Sequence, residues 1–393
     1  MGKKRAAVGA PRPHVALIVE TSLASGRDIL EGIARYVQEY GPWSVYHEPR
    51  SLEDDPPTWL QRWRGDGIIA RLQNRQIAKA VLATGLPIVD VLGVVGKLHL
   101  PLVRVDNTAV GRLGAEHLLE RGFRNFAYVG VRNLNWSQTR RDTFVAHLAA
   151  DGRTCSVYET PQRTRSDSSW ENEQNRLADW LRKRPKPLGI LTSNDPQGRR
   201  VLEACRRATI LVPEEAAVLG VDNDKTICAV CDPPLSSVIV DHSKIGYEAA
   251  KMLDGMMHGV RSELPDPITP FGVATRESTE VEVVDDRDVA MALRWIRRHA
   301  CEGVSVDDVL ANCLASRSTL QRRFRTLRGR TIHEEIIEAR LKWACQLLAE
   351  TDLPIRTIAV KTGFRHQEYL GAVFRALQGQ TPGQYRKHFL AKS

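Results

Sequence analysis

The chain has 393 residues, 42% of them apolar and 26% charged, with 56 Lys+Arg against 47 Asp+Glu. Those proportions exclude a disordered or fibrous chain, and the length predicts two or three domains. The net charge of +9 is one-sided: residues 287–393 hold 19 of the basic and 10 of the acidic residues, leaving 37 of each sign in 1–286. A segment that basic predicts a polyanion partner. No apolar run reaches the ~18 residues of a spanning helix, so no membrane association is expected. The basic start Met1–Arg5 has no apolar core before Pro11 and Pro13, unlike a signal peptide. Seven cysteines, at 155, 205, 228, 231, 301, 313 and 345, are odd in number and scattered, which predicts a reducing cytoplasm.

In chain order, His14–Glu20 reads as a buried strand, and the helix after it runs from Ser25 with Ile29, Leu30, Ile33, Ala34 and Val37 at helical spacing. Further strands are predicted at Asp66–Ala70, Pro87–Val91, Leu102–Asp106, Asn125–Val129, Leu188–Thr192 and Ala217–Val221. Helices fall at about 73–84, 107–121, 137–150, 172–183 and 195–207. Strands alternating with helices predict parallel sheets covered on both faces. Seven strands over some 260 residues predict two such lobes, with a ligand cleft at the carboxyl ends of the strands. The predicted fold is therefore an α/β two-lobed domain followed by an all-α domain. The boundaries are a basic tail at 1–12, the two-lobed domain at 13–282, a linker at 283–288 and the all-α domain at 289–393.

After about 286 the pattern is helical, at 287–301, 305–312, 316–328, 331–350, 355–362, 366–377 and 382–390. Two copies of a helix-turn-helix unit are visible. In the first, Val306, Val309 and Leu310 face inward and Ser316 caps the second helix. Leu320, Phe324 and Leu327 form that helix's core side. Its other side presents Arg317, Ser318, Gln321, Arg322 and Arg325, the residue types that bond base edges and phosphates in a major groove. The second copy has Ile358, Ala359, Leu370 and Phe374 as core. The helix 331–350 separates the units so that both meet one face of a duplex.

Polar groups gather at the strand ends of the larger domain: Ser25, Arg27 and Asp28; Asp106 and Asn107; Asn135 to Arg141, including Trp136 and Arg140; Ser193 to Asp195; and Asp222 to Asp224. Carboxylates and amides beside an aromatic face suit a polyhydroxylated ligand. Asp106, Asp195 and Asp222 also stand where an aspartate caps the following helix. Cys228 and Cys231 have zinc or redox spacing but no second pair. Gly111 and Gly114 lie within a helix and lack a dinucleotide fingerprint. Neither a catalytic constellation nor a metal or cofactor site is predicted.

The runs Arg340–Ala349, Ile355–Ala359, Thr362–Phe364, Tyr369–Phe374 and Gly379–Arg386 resemble the AraC-type regulator signature. That resemblance implies base reading by Ser318, Gln321 and Arg322 in the first unit, and by His366, Gln367 and Glu368 in the second. Gly371 and Ala372 depart from it, standing where relatives often carry polar or basic side chains, which predicts that the second unit mainly positions phosphates. Val105–Asn107 with Gly111–Leu118, then Gly220–Asn223, Leu235–Val238 and Ile245–Ala250, resemble LacI-type and periplasmic sugar-binding sensors. A LacI-type sensor joined to a C-terminal AraC-type domain is similar to the xylose operon regulator family, as are Trp170–Trp180 and His299–Gly303. The resemblance implies a dimeric activator that binds double-stranded DNA, answers to D-xylose or another monosaccharide, and works with RNA polymerase. It implies sugar contacts at Asp222 above all, then Asp106, Asn107, Arg140, Arg27, Trp136, Asp195 and Asn223. Two competing expectations are an enzyme fused to a DNA-binding module and a regulator whose sensor takes another small molecule or a protein.

Overall fold

The computed structural model describes residues 12–51, 54–96, 98–160, 170–260, 264–280 and 286–390, without the side chains of 287, 349, 350 and 388–390. The expected basic tail, apart from Arg12, and residues 283–285 of the expected linker lie outside these residues. The chain divides into two compact units, Met1–Glu282 and Val283–Ser393.

The first unit opens with β1 (His14–Ile18), α1 (Ala24–Tyr40), β2 (Ser44–His47), β3 (Gly67–Ala70), α2 (Arg75–Leu82) and β4 (Ile88–Asp90). Their sheet is wholly parallel in the order β2-β1-β3-β4. The apolar run Val15–Ile18 and its partners Ile68 and Ile69 are buried on both sides, as a helix-covered parallel sheet requires.

A second lobe follows with α3 (Asn107–Glu120), β5 (Asn125–Val131), α4 (Asn135–Ala150), β6 (Cys155–Thr160), α5 (Trp170–Arg182), β7 (Leu188–Thr192), α6 (Asp195–Arg207), β8 (Ala216–Val221), α7 (Lys225–Val230) and β9 (Ser236–Ile239). The chain then returns to the first lobe as α8 (His242–Met257), which packs along α1, and comes back as β10 (Gly272–Ala274). The second sheet has the order β10-β9-β8-β7-β5-β6, antiparallel at β10 alone. Three segments therefore cross between the lobes, and two of them touch where Val105 bridges Ile268. The α1–α8 crossing is close enough that a Cβ on Gly32 would stand 1.8 Å from Ser243 O, and one on Gly246 1.9 Å from Ile29 O. Glycine is required at both.

Two local expectations change here. The stretch Leu102–Asp106 is not a strand but a crossover, held by isolated bridges at Leu102 and Val105. β2 and β6 escape the sequence pattern because each is a half-exposed edge strand with no continuous apolar run.

The second unit comprises α9 (Arg287–His299), α10 (Val306–Ala311), α11 (Arg317–Arg328), α12 (Ile332–Glu350), α13 (Ile355–Lys361), α14 (Gln367–Gln378) and α15 (Pro382–Leu390). The long α12 serves two cores. Its Ile332 and Ile336 join Leu320 and Phe324 of the first helix-turn-helix, while Ile337, Leu341, Ala344 and Leu348 join Leu370 and Phe374 of the second. Buried Arg340 ties the middle together, donating from Nε to Ala300 O at 2.7 Å and from Nη2 to Val304 O at 2.8 Å. The two units repeat one another at an offset of fifty residues. Leu320 and Phe324 match Leu370 and Phe374, and both recognition helices end on a left-handed glycine, Gly329 (φ 67°) and Gly379 (φ 66°). The helices that follow begin with matching side-chain caps, Thr331 with Glu334 and Thr381 with Gln384.

Ser316 and Leu327 differ from expectation. Ser316 holds the N-cap position of α11 without capping it, because its hydroxyl donates to Thr319 Oγ1 at 2.9 Å. Leu327 is 48% exposed, since the first core is already filled by Leu320 and Phe324, two turns and one turn earlier.

Candidate functional site

The cleft is built around the turn that leaves β8. Asp222 (φ 100°) and Asn223 (φ 53°) both take left-handed backbone conformations, which cost energy for residues with a side chain. Asp195 holds that turn from below. Its Oδ1 accepts from Ser237 Oγ at 2.6 Å and its Oδ2 from the Asp224 N–H at 2.7 Å. A Cβ on Gly220 would stand 2.1 Å from Asp195 Oδ1, so glycine is needed for the carboxylate to enter. Burial pushes the Asp195 carboxyl up to about 8, and the Asp222 charge adds to it.

With the backbone turned this way, the Asp222 carboxylate stands 3.6 Å from Arg140 Nη2 and 3.3 Å from His242 Nε2. Burial works to raise this carboxyl, and Arg140 and His242 overcome it, holding Asp222 at about 2. Arg140, only 3% exposed, is fixed on every side. Its Nε donates to Asn107 Oδ1 at 2.9 Å, its Nη1 to Ser193 O, and its guanidinium lies 5.0 Å from the Trp136 ring. One arginine thus gathers the starts of α3 and α4 and the turns after β7 and β8.

The first lobe supplies the facing wall. Glu20, fully buried after β1, pairs with Arg71 after β3, and Arg71 Nη1 donates to Ser25 Oγ at 3.0 Å. The Arg71 charge also acts on Asp222. Glu20 Oε2 and Arg71 Nε are buried without a hydrogen-bond partner among the described residues, which leaves one acceptor and one donor for a polar ligand. Asp224 links the lobes directly. Its Oδ1 caps α7 through the Thr226 and Ile227 N–H groups, and its Oδ2 accepts from Ala24 N, at the start of α1, at 3.4 Å. Asn135 Nδ2 crosses as well, to Gly93 O.

Of the expected ligand residues, the structure brings Asp222, Arg140, Asn107 and Trp136 together. The others turn elsewhere. Asp106 caps α3 at the Ala109 N–H, 2.9 Å away; Asp195 points into the sheet; Asn223 Oδ1 accepts from Arg276 Nη2 at 2.8 Å; and exposed Arg27 donates to Thr21 O at 2.7 Å. Glu20, Arg71 and His242 were missed. Glu20 ends one predicted strand and Arg71 directly follows another, so both could have been found by applying the strand-end rule evenly. His242 arrives by a crossover that no local pattern announces.

The described residues contain no cluster of three or more His, Cys, Asp or Glu able to hold a metal ion. Cys228 and Cys231 are buried free thiols pushed up by burial, the opposite of zinc-binding thiolates.

On the second unit, Arg317, Ser318, Gln321, Arg322 and Arg325 all lie on the exposed side of α11, opposite Leu320 and Phe324. Arg317 pairs with Asp307 at 2.8 Å, whereas Arg322 and Arg325 form no salt bridge among the described residues. His366, at the N-cap of α14, and Gln367 and Glu368 in its first turn are exposed.

A two-lobed periplasmic-binding-type sensor followed by a paired helix-turn-helix unit defines a class, the sugar-responsive DNA-binding transcription regulators. Family models agree domain by domain: a XylR N-terminal domain over residues 14–102, a periplasmic binding protein-like domain over 115–279, and a helix-turn-helix domain over 310–388. The chain belongs to the family of xylose operon regulatory proteins. It is 32% identical over 391 residues to the xylose operon regulatory protein of Escherichia coli K12, covering 95% of this chain and 97% of that one. The protein of that name from Haemophilus influenzae is 32% identical over 381 residues, with the same coverage. The solved structure of the xylose-binding transcription activator XylR superposes with a TM-score of 0.83 at 31% identity, over 96% of this chain and 98% of that one. No helix among the described residues is long and apolar enough to cross a membrane.

Proposed function

We propose that this chain is a cytoplasmic activator of sugar-catabolism genes that binds D-xylose, or a monosaccharide of the same hydroxyl pattern, between the lobes of its sensor. The observation that carries this reading is Asp222, an ionised carboxylate at the cleft fixed by Arg140 and His242 and still 20% exposed. Such a carboxylate accepts two hydroxyl donors from a sugar, while Asn107 and Arg140 hold it in register and Trp136 offers an apolar face. Glu20 and Arg71 receive the opposite edge of the ligand from the first lobe. Asp106, Asn223 and Arg27 shape the surrounding turns, and Asp195 sets the conformation of the Asp222 turn.

Ligand bound to both walls favours the closed sensor over the open one, and that difference is what a sugar signal can transmit. In a homodimer, closure repositions the two DNA-binding domains on duplex DNA and thereby their contact with RNA polymerase. The domains are taken as 13–282 for the sensor, 283–288 for the linker and 289–393 for the DNA reader. The chain acts by binding, without turnover of the sugar.

A thermal-shift panel of pentoses and hexoses tests the reading, because a true ligand raises the unfolding temperature by mass action. D-xylose is expected to stabilise the wild type and to leave Asp222→Asn unmoved. A panel in which no sugar shifts the wild type would overturn it, as would product formation on incubation with sugar and ATP. On the DNA side, Arg322→Ala is expected to weaken specific binding by about 1–3 kcal/mol and to relax specificity at one position. Equal loss on every sequence would reassign Arg322 to phosphate.

A further inference from the structure

The fifty-residue repeat lets the two recognition helices be compared position by position. On α11 the exposed positions at the start and second turn are Ser318, Gln321 and Arg322; their counterparts on α14 are Glu368, Gly371 and Ala372. The backbones match, with the same buried Leu and Phe, the same glycine stop and the same following cap. The base-facing chemistry does not.

α11 carries five arginines and no acid, whereas α14 carries Arg375 and Glu368. Gln and Arg side chains bond the N7 edge of adenine and guanine in the major groove. α14 has neither at those positions. It offers a carboxylate, which accepts from the cytosine amino group, and one turn later an exposed methyl at Ala372, which contacts the thymine C5-methyl. Gly371 beside it leaves open space, with nothing within 4 Å of where a Cβ would stand, so α14 can approach a base edge closely there.

We propose that the two helices divide the target by chemistry: α11 reads purine edges through Gln321 and Arg322, and α14 reads pyrimidine edges through Glu368 and Ala372. This goes beyond phosphate positioning for the second unit and rests on the reading of residues 289–393 as a duplex-DNA reader. The charge difference follows the same division, since arginines on α11 also draw in the phosphates while Glu368 accepts only a base donor.

The test uses the full chain with D-xylose present. A duplex is selected from a random pool, and each half of the selected site is then chemically altered. Deoxyuridine for thymidine removes only the C5-methyl, and 7-deazapurines remove only N7. In the half bound by α14, deoxyuridine at the contacted position is expected to weaken binding about fourfold, the worth of one buried methyl. In the half bound by α11, 7-deazapurine is expected to weaken it roughly tenfold. Ala372→Gly is expected to erase the deoxyuridine effect and leave the 7-deazapurine effect intact. The alterations to DNA need no variant to fold. Purine sensitivity in both halves, or indifference to deoxyuridine throughout, would overturn the division while leaving the regulator reading standing. A chain that selects no sequence would overturn both.

Discussion

Arg140 in the sensor and Arg322 on α11 are the same residue type in opposite circumstances. Arg140 is almost wholly buried, with Asn107, Ser193, Asp222 and Trp136 around it, and the 286 residues of its region carry no net charge. Arg322 is exposed, with no salt bridge among the described residues, in a segment that holds the entire +9. A buried charge interacts strongly and tolerates little change, because every unpaired partner keeps its desolvation cost. An exposed cation is screened by salt and can exchange partners. On the proposed function, the cleft discriminates among small neutral molecules. The helix face is built for capture of a polyanion whose register is then tuned by a few base contacts.

The hardest test of this contrast is Arg140→Ala, which leaves Asp222, Asn107 Oδ1 and Ser193 O without their shared donor. A loss of about 3–5 kcal/mol is expected, divided between sensor stability and sugar affinity. Chemical denaturation with calorimetric titration of D-xylose measures both. Unchanged values for both would break the comparison, since they would mean that the buried arginine is as dispensable as an exposed one.

A pH effect of the next size comes from His117, buried on α3 with Nε2 2.9 Å from Thr279 Oγ1. Burial pushes its pKa down to about 3, aided by the Arg121 charge. The folded sensor therefore holds fewer protons than the unfolded chain between about pH 3 and 6.5. Stability from this group is complete above 6.5 and is lost as pH falls through that window, by about 2–3 kcal/mol at pH 4.5. Denaturant midpoints for the sensor across pH 4.5–7.5 should fall on the acid side, with a shallower slope in His117→Gln. Identical slopes would remove His117 from the account.

The smallest effect sharpens the other side. Thr331→Ala removes one half of the capping box at the start of α12, where Thr331 Oγ1 and Glu334 exchange bonds with each other's backbone. It should cost about 1 kcal/mol and lower the unfolding midpoint of the DNA-binding unit alone. A matching shift in the sensor transition would show that the two units do not unfold independently.

Much of the fold was legible because burial leaves a periodic trace. β7 and α6 have the expected bounds, and the helices of the second unit fall within one or two residues of theirs, because Gly303, Gly329, Pro354 and Gly379 punctuate an otherwise regular pattern. Edge strands β2 and β6 left no such trace, being half exposed. The candidate site was legible only as a pool of polar residues at strand ends. Asp106, Asp195 and Asp222 look alike in sequence, yet one caps α3, one braces a turn and one faces the cleft.

The sequence alone determined the partition of charge, the change from strand-and-helix to helix-only pattern at the unit boundary, and the doubling of the helix-turn-helix. These follow from composition and from the 2.0 and 3.6 periods, which are local properties of a chain. Tertiary structure decided which polar groups meet. Asp222 takes φ 100° in a turn held by Asp195 at the Asp224 N–H and by Ser237 Oγ at the Asn223 N–H, tertiary partners rather than its own preference. Arg71 and His242 reach the same space from strands and crossovers far along the chain. Such convergence depends on sheet order and on three passages between lobes, and neither is written in any short stretch of residues.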